Sequence, residues 1–326
     1  MAKACVFMGK EELKIEDRPI PEIDENEILV KVGSCCICGS DLSAYKTGGM
    51  YGLGIVIGHE FSGMVAGVGK NVNNIETGQR VCIQPFRDLI GLFVDGGFAE
   101  YCKVGAAALN NNVFLLPDSV SDEAGALIET LAVGLHAVNR SGVVPEDKTV
   151  VFGAGPIGLC TLIGLKAKGV EDVVVADLSE LRLAKAKELG ADAVFNPNDG
   201  AIEEFLKERH GASMYGAQTS VVFECAAAPQ TLNDAITSLD ARGKIIIVGS
   251  YKEPVTIDFL TLQYKELDLI SVMAYQDEFN EAIDLVVSGK ANVEAMISHR
   301  YSLDDIVEAF ETQADAARAV KVMIKL

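Results

Sequence analysis

A glycine-rich segment, Gly153-Ala-Gly-Pro-Ile-Gly158, constrains the fold of this 326-residue chain more than any other feature. An apolar run, Thr149–Phe152, precedes it, and a helical pattern, Pro156–Lys168, follows it. In such a strand–turn–helix unit the first glycine allows the turn and the second lets the main chain approach a pyrophosphate. The third lets the helix pack on the strand. The segment therefore predicts a dinucleotide site at a helix N-terminus.

Asp177 lies at the end of the next apolar run, where such sites carry an acidic residue. We expect it to accept hydrogen bonds from the adenosine ribose and to repel a 2′-phosphate, which favours NAD over NADP. An alternative is that Asp177 only caps the helix that follows. Arg182 has two interpretations that stay open: it covers the adenine or ribose, or it is an ordinary exposed helix arginine.

The sequence around this segment alternates between strand and helix patterns from about residue 148. The predicted strands are Thr149–Phe152, Val173–Ala176, Ala193–Phe195, Ser220–Phe223 and Ile245–Val248. The predicted helices are Pro156–Lys168, Glu180–Leu189, Ile202–Arg209 and Thr231–Leu239. Repeated units with such short connections require a parallel sheet with helices on both faces.

The two ends of the chain have other patterns. Before about residue 130, short apolar runs separated by Gly, Asn and Asp predict a β-rich domain. Near the C-terminus we expect helices at Glu278–Ser288 and Leu303–Glu311 and a closing strand at Lys321–Ile324.

Charge and cysteine usage exclude several classes of protein. The chain has 28 basic and 47 acidic residues, a net charge of −19, which argues against binding to nucleic acid or an anionic membrane. The longest uncharged stretch, Thr149–Leu165, is the predicted nucleotide-binding strand and helix, and we find no targeting segment. Eight cysteines without a signal peptide predict reduced thiols in the cytoplasm.

A second set of residues has the chemistry of a metal site. Cys38 begins a Cys-Gly-Ser-Asp segment, His59 and Glu60 follow Gly58, and Glu129 lies in an apolar segment where a lone carboxylate is costly to bury. Thiolate, imidazole and carboxylate suit zinc, and three protein ligands with an open position are typical of catalytic zinc. Taken singly, each has an ordinary explanation: a core cysteine, a turn histidine, a surface acid.

Four motifs occur in an order that indicates a family. They are Cys38-Gly-Ser-Asp41, Gly58-His-Glu-Phe-Ser-Gly63, the Glu129 segment followed by Val133-Gly-Leu-His136, and Gly153-Ala-Gly-Pro-Ile-Gly158. Over nearly its whole length the chain resembles the zinc-containing medium-chain dehydrogenase/reductase family, most closely its 2,3-butanediol and sorbitol dehydrogenases. The resemblance implies an α/β protein with a GroES-like β-barrel catalytic domain (1–131 and 272–326). It also implies a doubly wound Rossmann domain for NAD (132–271), with the active site in the cleft between the two.

The resemblance also implies roles for individual residues. Cys38 and His59 become zinc ligands, and Glu60 and Glu129 are alternatives for the third ligand, because in polyol dehydrogenases one binds zinc while the other holds a water at the metal. Ser40 resembles the hydroxyl that passes the proton towards the cofactor ribose. The implied cofactor contacts are Gly153, Gly155, Ile157, Gly158, Asp177, Arg182, Val248, Gly249, Ser250, Val272, Met273, Ala274 and, at the phosphates, Lys321.

The sequence departs from the family pattern in three places. Ser43 replaces a relay histidine of many alcohol dehydrogenases, which leaves the exit of the proton open. Ala274 stands where sorbitol dehydrogenases tend to carry a substrate-binding arginine, which favours a small vicinal diol over a long polyol. Only nine residues, Phe86–Val94, replace a long lobe that often binds a structural zinc, so we expect one catalytic zinc and no structural zinc.

The short segment at 86–94 contains six apolar residues, and two arrangements compete. It packs on its own barrel, or it forms an interface with another subunit. We favour packing on its own barrel, with a dimer or tetramer formed mainly by sheet edges and helices of the Rossmann domain.

The expected activity is zinc-dependent hydride transfer between a secondary alcohol and NAD. The expected substrate is a small molecule such as 2,3-butanediol or acetoin, because of Ala274. Two alternatives remain: a sorbitol, polyol or sugar-alcohol dehydrogenase, and a nucleotide-binding relative without catalysis.

Overall fold

The computed structural model describes every residue from Met1 to Leu326, in two compact units. The first unit consists of Met1–Glu129, Phe279–Gly289 and Ile297–Leu326. The second consists of Thr130–Glu278 and Lys290–Met296. None of the helices is long and apolar enough to cross a lipid bilayer.

Fifteen strands and ten α-helices follow one another along the chain. The strands are β1 Ala2–Gly9, β2 Glu12–Arg18, β3 Ile28–Cys36, β4 Glu60–Val68, β5 Arg80–Ile83, β6 Tyr101–Val104, β7 Val113–Leu115, β8 Lys148–Phe152, β9 Asp172–Ala176, β10 Ala193–Phe195, β11 Thr219–Glu224, β12 Leu239–Ile247, β13 Asp268–Ser271, β14 Ile297–Ser302 and β15 Lys321–Lys325. The helices are α1 Gly39–Thr47, α2 Asp122–Ala126, α3 Ile128–Ser141, α4 Pro156–Ala167, α5 Glu180–Glu188, α6 Ile202–His210, α7 Pro229–Ser238, α8 Phe259–Tyr264, α9 Glu278–Val287 and α10 Ile306–Ala314.

The first unit is built on a seven-stranded sheet in which β3 pairs with β4, β6 and β15. The antiparallel registers place Cys36, the last residue of β3, opposite both Glu60 of β4 and Met323 of β15. Residues just beyond the end of β3 therefore lie near the start of β4 and the start of β15. This register brings the sequence-distant candidate ligands to one end of the sheet.

The second unit contains a six-stranded parallel sheet in the order β10-β9-β8-β11-β12-β13. The first strand in sequence, β8, is central, and the strand order reverses between β8 and β11. At their carboxyl ends Phe152 lies opposite Glu224. Ligands of doubly wound sheets bind at this kind of reversal, so the predicted parallel sheet is confirmed and its ligand edge is defined.

Three elements of the second unit were not expected from the sequence: α8, β13 and α3, most of which lies in this unit. Strand β13 has only four residues and lies at the sheet edge, largely exposed, so it lacks the apolar run of the central strands. The expected helix at Leu303–Glu311 begins as a 3-10 turn, Leu303–Asp305, and continues as α10. The local sequence pattern predicted the buried strands correctly. It did not predict these three elements, because their conformation depends on tertiary contacts.

The short segment at 86–94 folds back on its own unit. Ile90 and Leu92 are buried in the hydrophobic core of that unit. Leu89 and Phe93 remain 40% and 57% exposed. The favoured arrangement is therefore confirmed for Ile90 and Leu92 only, because Phe86 and Val94 are also 40% and 44% exposed and leave an apolar surface together with Leu89 and Phe93.

Candidate metal and cofactor sites

Three candidate ligands converge at the end of β3. Cys38 is the N-cap of α1, His59 immediately precedes β4, and Glu60 is its first residue. One ligand atom from each lies within 4.8 Å of the other two. His59 and Glu60 are buried, whereas Cys38 is partly exposed. A thiol, an imidazole and a carboxylate at this separation fit a zinc ion.

Asp41 contacts both Cys38 and His59 and helps to hold them in place. Its Oδ2 accepts a hydrogen bond from the main-chain N–H of Cys38 at 2.8 Å, and its Oδ1 lies 3.3 Å from His59 Nδ1. Nε2 of His59 is therefore the nitrogen left for a metal. Burial alone lowers the pKa of His59, but the negative charges of Asp41 and Cys38 raise it well above its usual value. An environment that attracts a proton this strongly also attracts a cation.

Glu60 has a buried ionic partner in Lys321, the first residue of β15. Lys321 Nζ lies 2.5 Å from Glu60 Oε2, and both side chains are 1% exposed. Burial opposes the charged form of Lys321, but the charge of Glu60 outweighs it and raises the pKa of the lysine. The sequence suggested that Lys321 approaches cofactor phosphates; the contact observed is with Glu60, and the phosphate role stays a prediction.

Glu129 lies outside the group of three. It occupies the first turn of α3 and is buried. It is close enough to Cys36 for its charge to add to the burial that raises the pKa of that thiol. Since Cys36 is the register partner of Glu60, the two carboxylates are in the same region, but only Glu60 groups with Cys38 and His59.

Ser40 follows in the first turn of α1 and is partly buried. A hydrogen bond from the Ser40 side chain favours ionisation of Tyr51, but burial and the charge of Asp41 raise the pKa of that phenol overall. Tyr51 was not predicted as a site residue, because nothing in its local sequence marks it. Asp41 was missed as a support for His59, although it is the last residue of the Cys-Gly-Ser-Asp motif.

The glycine-rich loop has the expected shape. Gly153 has φ +94°, in the left-handed region that favours glycine. A Cβ on Gly158 would lie 1.7 Å from the Gly153 carbonyl oxygen, so only glycine fits there. Gly155 caps α4, and Ile157 lies in its first turn. This leaves main-chain N–H groups at the helix N-terminus for an anion.

Asp177 and Arg182 both lie against this loop. Asp177 Oδ2 accepts from the N–H of Ala154 at 2.7 Å, and Oδ1 accepts from Ser179, the N-cap of α5, at 2.8 Å. The carboxylate thus helps to order the start of α5, and it also borders the loop. Arg182 is partly buried, with Nη1 3.7 Å from the position of a Cβ on Gly155. Burial lowers the pKa of its guanidinium, against the influence of Asp177.

The other predicted cofactor contacts follow the ends of β12 and β13. The N–H groups of Val248 and Gly249 donate to the Glu224 carbonyl, and Val272 donates to Ile247 at 3.0 Å. Ser250 and Met273 are exposed, and Ala274 is left-handed with φ +52°. Because all strands are parallel, these segments share the carboxyl edge of the sheet with the glycine-rich loop.

Comparison with known proteins identifies the family of this chain. Residues 24–118 match the alcohol dehydrogenase GroES-like domain, and residues 156–288 match the zinc-binding dehydrogenase domain. Sorbitol dehydrogenase from Ovis aries is 35% identical over 99% of this chain and 96% of its own length. The chain belongs to the zinc-containing medium-chain dehydrogenase/reductase family. It is therefore an oxidoreductase of the zinc-dependent alcohol and polyol dehydrogenase class.

Solved structures of family members confirm the α/β fold, with a GroES-like domain beside a parallel-sheet domain. The 2R,3R-butanediol dehydrogenase from Bacillus subtilis superposes with a TM-score of 0.91 at 31% identity, covering 100% of both chains. A putative zinc-binding dehydrogenase from Sinorhizobium meliloti 1021, bound to NADP, gives a TM-score of 0.91 at 28% identity, covering 100% of this chain and 99% of its own. Family membership alone therefore does not select between NAD and NADP.

Proposed function

We propose that this dehydrogenase transfers a hydride between a vicinal secondary diol, such as 2,3-butanediol, or its hydroxyketone acetoin, and NAD. The observation that carries the proposal is the group of Cys38, His59 and Glu60, whose ligand atoms lie within 4.8 Å of one another and of which only Cys38 is partly exposed. It lies in a chain that also has an ordered glycine-rich loop at the ligand edge of a doubly wound sheet.

The residues at the metal site divide the proposed chemistry among them. Cys38, His59 and Glu60 hold one zinc ion, which when bound acts as a Lewis acid on the alcohol oxygen. Asp41 fixes the ring of His59 through Nδ1. Ser40 would take the alcohol proton and pass it towards the cofactor ribose. Glu129 remains the alternative third ligand, or the carboxylate that orders water beside the metal.

The proposed metal content is one zinc per chain and no structural zinc. The only group of three metal-binding side chains is the one at Cys38. All eight cysteines are free thiols, which supports a reducing, cytoplasmic compartment. Metal analysis of purified protein checks the stoichiometry, and two zinc ions per chain would contradict it.

Cofactor binding is assigned mainly to 132–271 and substrate chemistry to 1–131 with 272–326, except that residues 272–278 belong to the nucleotide-binding unit of the structure. NAD is preferred because the Asp177 carboxylate borders the glycine-rich loop, where it repels a 2′-phosphate. The main-chain segments at Val248–Ser250 and Val272–Ala274 contribute the remaining contacts.

The small diol is preferred because Ala274 has no charged group with which to bind a long polyol. A second candidate substrate class, sorbitol and related polyols, is favoured by the 35% identity to sorbitol dehydrogenase from Ovis aries. A direct comparison of substrates decides between them.

The test is a steady-state comparison of 2,3-butanediol stereoisomers, acetoin and sorbitol with NAD. We expect the highest kcat/KM for a diol or acetoin. A tenfold advantage for sorbitol, about 1.4 kcal/mol in transition-state free energy, would assign the polyol class instead. Cys38→Ser serves as the control, because residual turnover in that variant would come from contaminating dehydrogenases.

We further propose that the enzyme self-associates through its nucleotide-binding unit. Strand β13 ends the six-stranded sheet with one edge unpaired, and Phe259, Leu260 and Met273 nearby in sequence are 69%, 77% and 80% exposed. Unpaired edges and apolar surface of this kind are usually covered. Leu260→Glu with Met273→Glu should lower the mass in solution, while the control Leu89→Ser with Phe93→Ser should not. The reverse result would place the interface on the short segment at 86–94.

A further inference from the structure

A buried carboxylate at the ligand edge of the nucleotide-binding sheet has no role in the proposed chemistry. Glu224, the last residue of β11, is fully buried where the strand order reverses. Its Oε1 accepts three hydrogen bonds, from the N–H of Ala226 at 3.0 Å, the N–H of Ala227 at 2.9 Å and the hydroxyl of Thr231 at 2.8 Å. Burying a carboxylate is costly unless such donors hold it, so this one is tied closely to the turn at 225–228.

The main chain of Glu224 organises a second segment. Its carbonyl oxygen accepts from Val248 at 2.9 Å and from Gly249 at 2.8 Å, the residues that follow β12. One residue thus joins the turn after β11 to the segment after β12.

The turn at 225–228 contains a strained residue. Ala227 has φ +54°, a left-handed conformation that is unfavourable for a non-glycine residue because its Cβ approaches the following carbonyl oxygen. Such conformations persist only where the surroundings hold them. Here the side chain of Glu224 binds the N–H of Ala227 itself and that of the residue before it.

The shape of this turn matters because two glycines of the cofactor site pack against it. A Cβ on Gly153 would lie 2.9 Å from the nitrogen of Ala226. A Cβ on Gly249 would lie 2.7 Å from the nitrogen of Ala227. A movement of the turn would therefore displace both main-chain segments that border the cofactor.

We propose that Glu224 is a positioning residue for the nicotinamide cofactor: it holds Ala227 left-handed and thereby sets the spacing between the glycine-rich loop and the segment after β12. This inference rests on the proposed cofactor site and adds a residue to it that touches neither cofactor nor substrate.

The central experiment is the affinity for NADH, followed by the fluorescence of the bound dinucleotide. Glu224→Ala should weaken NADH binding about tenfold and raise KM for NAD similarly, while kcat at saturating NAD stays within about twofold. Glu224→Gln keeps an oxygen acceptor and should bind NADH nearly as the unmodified enzyme does.

Rescue distinguishes positioning from a general loss of structure. Glycine adopts the left-handed region freely, so Ala227→Gly should restore NADH affinity in the Glu224→Ala background to within about threefold of Ala227→Gly alone. Thr231→Val removes one hydrogen-bond donor and leaves the Glu224 carboxylate in place, so it should weaken NADH binding about threefold. This variant replaces Glu224→Ala in the experiment if Glu224→Ala does not fold.

Lys265→Ala is the matched control. Lys265 is also a buried charged residue of this unit, and its Nζ donates three hydrogen bonds to the carbonyls of Ile236, Thr237 and Leu239 at the end of α7. This variant should lower the melting temperature and leave NADH affinity unchanged. Any one of three results would overturn the inference: an equal loss of NADH affinity in Lys265→Ala, an unchanged NADH affinity in Glu224→Ala, or no rescue by Ala227→Gly. An unmodified enzyme that binds neither NADH nor NADPH would instead contradict the proposed function.

Discussion

Replacing Lys321 with Met tests the ion pair behind the metal site. The two charged groups are 2.5 Å apart and both are 1% exposed, so neither can turn to water when its partner is lost. Removing one partner of such a pair leaves an uncompensated buried charge and costs about 3–5 kcal/mol. In metal-free enzyme Lys321→Met should therefore lose a large part of a domain stability of about 5–15 kcal/mol.

Zinc changes the size of this effect. When a cation binds Glu60, it offsets the charge that Lys321 otherwise balances, so the cost of Lys321→Met should be smaller in zinc-loaded enzyme than after chelation. Glu60→Gln together with Lys321→Met should recover most of the stability in metal-free enzyme, because the buried charge is gone.

Urea unfolding followed by circular dichroism measures the free energy, because the chain contains no tryptophan to serve as a fluorescent probe. With a slope of about 2 kcal/mol per M, a loss of 4 kcal/mol moves the midpoint by about 2 M. Lys325→Met is the control on the same strand: Lys325 is about half exposed and lies 3.3 Å from Glu123, so its pair is worth less than about 1 kcal/mol. If the two variants were equally stable in metal-free enzyme, the reasoning about the buried pair would be wrong.

Three further predictions concern the cofactor, the metal and acid stability. Asp177→Ala should narrow the ratio of kcat/KM for NAD over NADP, and comparable efficiency with both cofactors in the unmodified enzyme would contradict the role given to Asp177. A chelator should abolish turnover and zinc should restore it, whereas full activity in verified metal-free protein would exclude the zinc mechanism. Burial lowers the pKa of His210 to about 4, below its ordinary 6.5. The unfolded chain therefore takes up this proton first, and stability should fall by about 1.4 kcal/mol per unit as pH drops from 6.5 towards 4. His210→Gln should remove that part of the slope of unfolding free energy against pH, and an unchanged slope would show that the histidine is not buried neutral.

Local sequence determined the parts of this protein whose geometry repeats over a few residues. Gly153 and Gly158 stand where any side chain would collide, so their positions alone predict the turn before α4. The central strands of the second unit are buried on both faces and consist almost entirely of apolar residues, which made them recognisable. The residue types in the motifs around Cys38 and His59 likewise predicted a metal site without any structural distance.

Only the tertiary structure decided which distant residues meet. The antiparallel registers on β3 bring the start of β15, with Lys321, to Glu60. Glu129, in α3, stays outside the group with Cys38 and His59. No periodicity encodes such contacts, because they depend on how separate strands align. The role of Glu224 is likewise decided by tertiary structure. In the sequence it is only an acidic residue at the end of an apolar strand, whereas in the fold the turn at 225–228 donates hydrogen bonds to its carboxylate. The role of a buried charged side chain therefore depends on the hydrogen bonds it forms in the folded protein, and these cannot be read from the order of residues in its strand.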